Sequence, residues 1–372
     1  MRKHQKVILK MRYLRHIAKK LLVKLRIIGT YLNRTSFCAR QKNTYHLSEN
    51  QVKKANKLGF SADEYVIYQL DENNPADYLS EYERFRFRDA LGRKAILLDN
   101  KVFFWLMFHH MLPMNEMFFY KSSGRMYPLS KRSEDVEPIE FLKAEGVLVF
   151  KLVDSGGGNG FHLFEWHDGD FFIDHAPAAQ TDITALLNDE DNYILEKYCR
   201  QGDFENQIFP YSVNTIRIIT VRHKDGSYSI ANAFHRFGGS KSSCVDNRHS
   251  GGFCAKIDLE SGILSAARTN SPQYMLDDNK QVIDYNKHPI TKIQIEGQTV
   301  PNWEQIKERA IEFHRKIQFA DINFVAWDFA LTNHGVVVIE ANASCGANLL
   351  QMWAGQRNGP VGAWLREWGY LQ

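Results

Sequence analysis

Apolar positions recur in two rhythms along this chain. Val7, Met11, Leu14, Ala18, Leu21, Leu25, Ile28 and Leu32 alternate spacings of four and three. That spacing predicts one face of a helix on the order of 40 Å long at about 1.5 Å per residue. Ile306, Ala310, Phe313 and Ile317 repeat the rhythm and predict an amphipathic helix over 303–317. Elsewhere the apolar residues fall in short blocks bounded by turn residues. These predict strands at 146–153, 161–166, 192–198, 213–222, 228–237 and 253–258. Asp225-Gly226 separates two of the blocks and predicts an antiparallel pair. Residues 102–111 predict a very apolar helix that ends near Pro113. Shorter helices are predicted at 49–57, 138–144 and 181–188, with a strand and a polar turn around Gly124 after residue 117. Over 62–88, Tyr65, Tyr68, Tyr78, Tyr82, Phe85 and Phe87 alternate with charge, a pattern of helical packing rather than base stacking.

Two carboxylates interrupt the apolar blocks near the end. Asp328 lies within Val325-Ala326-Trp327-Asp328-Phe329-Ala330, and Glu340 and Asn342 follow Val338-Ile339. Asn333-His334-Gly335 supplies turn chemistry between them, so the segment predicts two adjacent strands with hard oxygen ligands on both. A carboxylate burdened with burial needs a partner. Two carboxylates and an amide, with no thiol, suit magnesium bound with nucleotide phosphates.

A second pattern lies upstream. The apolar block at 146–153 contains a single lysine, Lys151, and Ser155-Gly156-Gly157-Gly158-Asn159-Gly160 follows it. A glycine-rich turn between strands lets backbone N–H groups approach phosphate oxygens. The lysine adds a point charge. No Gly-Lys-Ser/Thr follows, so this is not a Walker loop.

Composition narrows the class. Hydrophobic residues make up 44% of the 372-residue chain and aromatics 13%, enough for a sizeable core and two or three packed subdomains. Cys38, Cys199, Cys244, Cys254 and Cys345 are odd in number and form no CxxC pair, which favours a reduced cytosolic setting over a disulfide framework. No Cys/His cluster has zinc spacing. The net charge of +4 hides an asymmetry: residues 1–48 hold 13 of the 47 Lys and Arg and none of the 43 Asp and Glu. The body is acidic and the extension basic, and no recognition module follows, so nucleic acid is not an expected partner. The stripe at 7–32 has two readings. It lies on an anionic membrane surface, making the protein cytoplasmic and peripheral at the inner membrane face, or it packs on a partner helix or on the body. No run in the sequence has spanning length.

Taken in order, these pieces resemble the ATP-grasp superfamily over residues 95–350. The resemblance implies an α+β fold in which two subdomains clamp ATP, here with a basic helical N-terminal extension. It implies that Lys101, in Asp99-Asn100-Lys101, is a first nucleotide lysine, with Lys151 and residues 155–160 as second lysine and lid loop. Glu196, Lys197 and Tyr198 fall on the strand that holds the adenine. Asp328, Glu340 and Asn342 fall on the ligands of a magnesium pair. A narrower likeness joins Val213-Asn214-Thr215-Ile216-Arg217, His235-Arg236-Phe237-Gly238, Val245-Asp246-Asn247, Gly251-Gly252, His288-Pro289 and Trp327-Asp328. This resembles the ATP-grasp group associated with sugar transfer and surface-polysaccharide clusters. It marks Asp246, Asn247, His249, Gly251 and Gly252 as candidate substrate contacts.

The superfamily resemblance implies an ADP-forming ligase that joins a small-molecule carboxylate to an amine or sugar substrate through an acyl phosphate, and the narrower likeness implies a context for it, surface-polysaccharide or glycan biosynthesis. The alternatives are a small-molecule kinase and a non-catalytic nucleotide-binding partner of a glycosyltransferase. Ligases of the D-alanine type carry an arginine where this chain has Ala326, and many relatives a proline where it has Cys345. Arg217, Arg236 and the backbone N–H of Gly346 are then the candidates for oxyanion and carboxylate binding. The expected divisions are a basic extension at 1–48, a mixed subdomain at 49–125, the lid at 126–195 and the catalytic subdomain at 196–372. Deleting residues 1–34 separates the two readings of the stripe: co-sedimentation with anionic vesicles is lost on the membrane reading and unchanged on the packing one.

Overall fold

The computed structural model describes residues 34–84, 92–241, 244–247 and 251–371. The stripe at 7–32, Phe85, Phe87 and His249 lie outside them. The chain divides into two units, Met1–Ala90 with Gly346–Arg357, and Leu91–Cys345 with Asn358–Gln372.

The first unit is helical where described, with helices Arg34–Cys38, Glu49–Leu58 and Ala62–Ile67. Ser48 with Gln51, and Ser61 with Glu64, close reciprocal caps at two helix starts. Gly59, at φ +88°, ends Glu49–Leu58 in the left-handed conformation that favours glycine. The aromatics pack among themselves: Tyr68 stacks on Tyr78 at 4.9 Å and meets Phe60 edge-on at 6.0 Å. Tyr65, Tyr68 and Tyr78 are buried, as helical packing requires.

The second unit contains two antiparallel sheets. The first orders its strands β2-β1-β7-β3-β4-β5-β6. Here β1 is Met117–Ser122, β2 Arg125–Pro128, β3 Val147–Leu152, β4 Phe161–His167, β5 Asp170–Ile173, β6 Ala176–Ala178 and β7 Tyr193–Lys197. Its apolar face carries Phe118, Phe150, Phe164 and Leu195, which pack with Phe141 of helix Pro138–Glu145 and Ile183 of helix Gln180–Asp189. The second sheet runs β11-β10-β9-β8-β12-β13. Its members are β8 Thr215–Arg222, β9 Tyr228–Phe237, β10 Phe253–Ile257, β11 Leu264–Arg268, β12 Phe324–Thr332 and β13 Gly335–Asn342.

The strands and helices predicted within the described residues are present, with ends shifted by a residue or a few. Strands β2, β5, β6 and β11 were not anticipated. Three of them are sheet edges, where one neighbour suffices and an apolar block is not needed; β6 is only Ala-Pro-Ala. Helix Trp303–Lys316 buries Ile306, Ala310 and Phe313 as the spacing requires. The Phe313 ring meets Trp327 and Phe329 of β12 at 6.4 and 5.8 Å. Among the described residues no helix is long and apolar enough to cross a membrane.

Glu64 in the first unit is 1% exposed and accepts N–H groups of Ser61 at 2.7 Å and Glu81 at 2.6 Å. Burial pushes its carboxyl up from 4.5 to about 7, against the opposing pull of the Ser61 amide. Between those values the folded unit binds a proton that the unfolded chain has released, so stability falls as pH rises from about 4.5 to about 7. Hydrogen exchange in Glu49–Leu58 and Ala62–Ile67 should therefore be slower, after correction for intrinsic rates, at pH 5 than at pH 8. Glu64→Gln should remove the difference; a variant that retains it contradicts this account.

Candidate active site

Arg217 on β8, Asp328 on β12 and Glu340 on β13 stand in one row of register across three neighbouring strands. Residues directly opposite in a ladder share a face, so the three side chains leave the sheet together. Trp327 and Phe329 alternate to the other side, against helix Trp303–Lys316. A one-residue slip would exchange the two sets, so the apolar face fixes where the charges emerge.

Asp328 is 1% exposed and is gripped by two arginines. Arg217 donates from Nε to Oδ1 at 2.5 Å and from Nη2 to Oδ2 at 2.7 Å, a bidentate pair. Nη2 of Arg236 reaches Oδ1 at 3.2 Å. Burial alone would raise the Asp328 carboxyl, but Arg217 and then Arg236 outweigh it and hold it well below the usual range. Glu340 faces Asp328 across the ladder with a quarter of its side chain exposed. Burial first, then the Asp328 charge, push its carboxyl up, and Lys101 at 3.9 Å opposes them.

Two lysines complete the charge pattern. Lys101 opens helix Lys101–Phe108, whose cap is the Asn100 side chain accepting the Phe103 N–H at 2.9 Å. Its Nζ donates to the carbonyls of Ser155 at 2.5 Å and Val153 at 3.2 Å. Burial lowers its pKa, with Glu340 pulling the other way. Lys151 on β3 lies 2.5 Å from Oε1 of Glu196 on β7, its diagonal neighbour in the ladder. Lys101, Lys151, Glu196, Arg236, Asp328 and Glu340 bound one cleft.

The glycine loop joins β3 to β4 along the rim of this cleft. Gly157, Gly158 and Gly160 take φ values of +76°, +78° and +66°. A Cβ on Gly158 would stand 2.9 Å from Val245, and one on Gly160 would stand 2.6 Å from the Tyr193 hydroxyl. The glycines are therefore needed both for backbone conformation and for close approach. Ser155, Gly156, Gly157, Gly158 and Asn159 line the cleft.

The structure departs from expectation at several positions. Arg217 was a candidate for holding a substrate carboxylate. Its Nε and Nη2 bind Asp328 and its Nη1 donates to Cys345 Sγ at 3.7 Å, so each of its three nitrogens already has a partner inside the protein, and it does not line the cleft. Asp246 and Asn247 line the cleft, but the Asp246 carboxylate accepts the Thr215 N–H at 2.9 Å and the Thr215 hydroxyl. Gly251 and Gly252 are not among the lining residues. Gly252 instead permits a backbone crossing, since its Cβ would stand 2.4 Å from the Asp246 carbonyl. Glu196 and Tyr198 line the cleft, whereas Lys197 is exposed and does not. Gly346 is in the first unit, at the cap of helix Ala347–Leu350. Sequence reasoning missed Thr215. Its signal was present in the pairing of β8 with β9, which sets it one step beyond the Ile216–His235 pair and so beside Arg236.

Divalent magnesium suits the donor set. Glu340 and Asn342 are two apart on β13 and share the face of Asp328. Asn342 Nδ2 lies 3.4 Å from Glu340 Oε1, and its Oδ1 has no hydrogen-bond partner among the described residues. Two opposed carboxylates, one of them shielded by arginines and the other raised in pKa, leave a place that a cation would relieve. Among the described residues no cluster of three or more His, Cys, Asp or Glu is present, so the protein offers two carboxylates and an amide. A magnesium ion draws its remaining oxygens from phosphates and water.

Residues 81–359 match the family model described as sugar-transfer associated ATP-grasp. No curated protein matches the chain. Similar solved structures include D-alanyl-alanine synthetase A from Vibrio cholerae O1 biovar eltor, 12% identical over 70% of this chain and 60% of that one, at a TM-score of 0.40. D-Alanine-D-alanine ligase from Helicobacter pylori is 10% identical over 73% and 60%, at 0.38. N5-carboxyaminoimidazole ribonucleotide synthetase from Thermus thermophilus is 12% identical over 66% and 45%, at 0.32. The chain thus spans 45% to 60% of the length of these structures.

Removing the central charge should destabilise the second unit. Asp328→Asn leaves Arg217 buried without a counter-charge, at a cost of about 3–5 kcal/mol in urea unfolding. Adding Arg217→Met to that variant should recover most of the loss. A single variant as stable as the parent contradicts the arrangement.

Proposed function

The chain belongs to the sugar-transfer associated ATP-grasp family, and we propose that it is an ATP- and magnesium-dependent ligase. A carboxylate oxygen attacks the γ-phosphorus of ATP, the bond to the β–γ bridging oxygen breaks, and ADP leaves. The acyl phosphate then meets an amine. A C–N bond forms, the C–O bond to phosphate breaks, and the amine gives up a proton. Positioning and charge neutralisation carry most of such transfers, so lysines, arginines and backbone amides suffice as the protein's part.

The observation that supports this reading best is the pair Asp328–Glu340, opposed across the ladder and lining the same cleft as Lys101, Lys151 and the glycine loop. In the proposed site Lys151 exchanges Glu196 for phosphate oxygens, and Lys101 turns from two loop carbonyls toward the same charge. The amides of residues 156–158 close over the phosphates. Tyr198 and the backbone of 196–198 are the proposed adenine contact. Magnesium would be held by Glu340, Asn342 and Asp328, and when bound it neutralises the β- and γ-phosphates. Arg236 is the proposed donor at the transfer end, because it lines the cleft and Arg217 does not. The family's description supports a place in surface-glycan biosynthesis, with an amino sugar or uronic acid among the substrates.

The test is ATP turnover by the purified protein with magnesium and pools of amino acids, uronic acids and amino sugars, read by mass spectrometry. ADP, phosphate and a condensed product are expected. A product heavier by one phosphoryl group, with no free phosphate, would make the protein a kinase instead. Glu340→Gln should lower kcat by at least about 100-fold, as loss of a charge-stabilising group does; unchanged turnover would remove Glu340 from the chemistry.

A further inference from the structure

Arg236 carries five N–H donors on a planar fork. Nε donates to Thr215 Oγ1 at 2.9 Å, Nη2 donates to the same hydroxyl, and Nη2 lies 3.2 Å from Asp328 Oδ1 as an ion pair. Asp246 Oδ2 lies 3.4 Å from Nε. Nη1 has no hydrogen-bond partner among the described residues, although Arg236 is 8% exposed and lines the cleft. One edge of the guanidinium is thus committed inward and the other is left for a ligand.

Thr215 decides which edge is which. Its hydroxyl has a single proton, and that proton goes to Asp246 Oδ2. Its lone pairs are then turned toward Arg236. Asp246 is fixed in turn by the Thr215 N–H at 2.9 Å, and Asp246, Thr215 and Arg236 are all buried. Without the hydroxyl, the 3.4 Å ion pair between Arg236 Nε and Asp246 is free to close into a direct hydrogen bond, which rotates the fork about its long axis.

We propose that Thr215, with Asp246 behind it, is a positioning residue that aims Nη1 of Arg236 at the terminal phosphoryl oxygens of bound ATP. This rests on the ATP-site reading above and adds to it the group that sets the arginine's orientation. Arg236 is the residue that touches the anion; Thr215 acts through it.

The test uses the full chain with magnesium and two probes, AMP-PNP and ADP, followed by calorimetry. The parent is expected to bind AMP-PNP more tightly than ADP. Thr215→Val, which keeps the shape and loses the hydroxyl, should reduce that preference about tenfold, with ADP affinity unchanged, as loss of one oriented charged donor does. Thr215→Ser should restore it. A Thr215→Val protein that keeps the full preference overturns the proposal, and so does a Thr215→Ser protein as impaired as the valine variant. Melting curves check the fold. If Thr215→Val melts early, Asp246→Asn takes its place, and retention of the full preference by that variant overturns the proposal equally. A parent protein that binds neither nucleotide overturns the ATP-site reading itself, an outcome distinct from either variant result.

Discussion

Asp328 is a fully buried carboxylate, and its burial is tolerable only because Arg217 clasps both of its oxygens and Arg236 adds a third contact. A charge in that place without partners would cost several kcal/mol or give up its charge. The clasp requires β8, β9 and β12 to be neighbours in one register, so the order of the six-stranded sheet and the chemistry of its cleft face are one constraint. The guanidinium that clasps the acid comes from the neighbouring strand, directly across the ladder.

Around that centre every acid has a base. Glu196 holds Lys151, Asp246 and Thr215 hold Arg236, and Glu340 lies near Lys101. These pairs are partly desolvated, and in the proposed site their basic members exchange the acids for the phosphates of ATP. Glu340 is the least satisfied of the acids, with a raised pKa, a lysine at 3.9 Å and the Asn342 amide at 3.4 Å. It is therefore where a cation gains most. The glycine loop meets the same economy of space from the other side. Its positive φ values let it lie against Val245 and Tyr193, with its amides along the rim of the cleft.

Much of this was legible in the sequence, and for physical reasons. Asp328 and Glu340 stood out because acids inside apolar strand blocks need a partner, and the Asn-His-Gly turn fixed them on adjacent strands. Lys151 stood out in the same way, and the glycine cluster announced its own backbone. Which base meets which acid was not legible, because that depends on pairing between strands far apart in the chain. Arg217 and Asp328 are 111 residues apart, and only the β8–β12 register brings them face to face. Thr215, quoted only as part of a motif, was given no role for the same reason. A threonine at a strand start is ordinary until the opposite strand delivers an arginine to it. The edge strands β2, β6 and β11 were missed because an edge needs one neighbour and little apolar surface.

The proposed step is transfer of the γ-phosphoryl group of ATP to a carboxylate in the cleft that Asp328 lines. Positional isotope exchange follows that step itself, using ATP labelled with oxygen-18 at the β–γ bridge and carboxylate pools without amine. The label should scramble into the β-nonbridging positions, dependent on magnesium and on a carboxylate, as ADP forms reversibly beside an acyl phosphate. A bridge that stays intact with every carboxylate, in a protein that nonetheless turns ATP over on a hydroxyl acceptor, would contradict it.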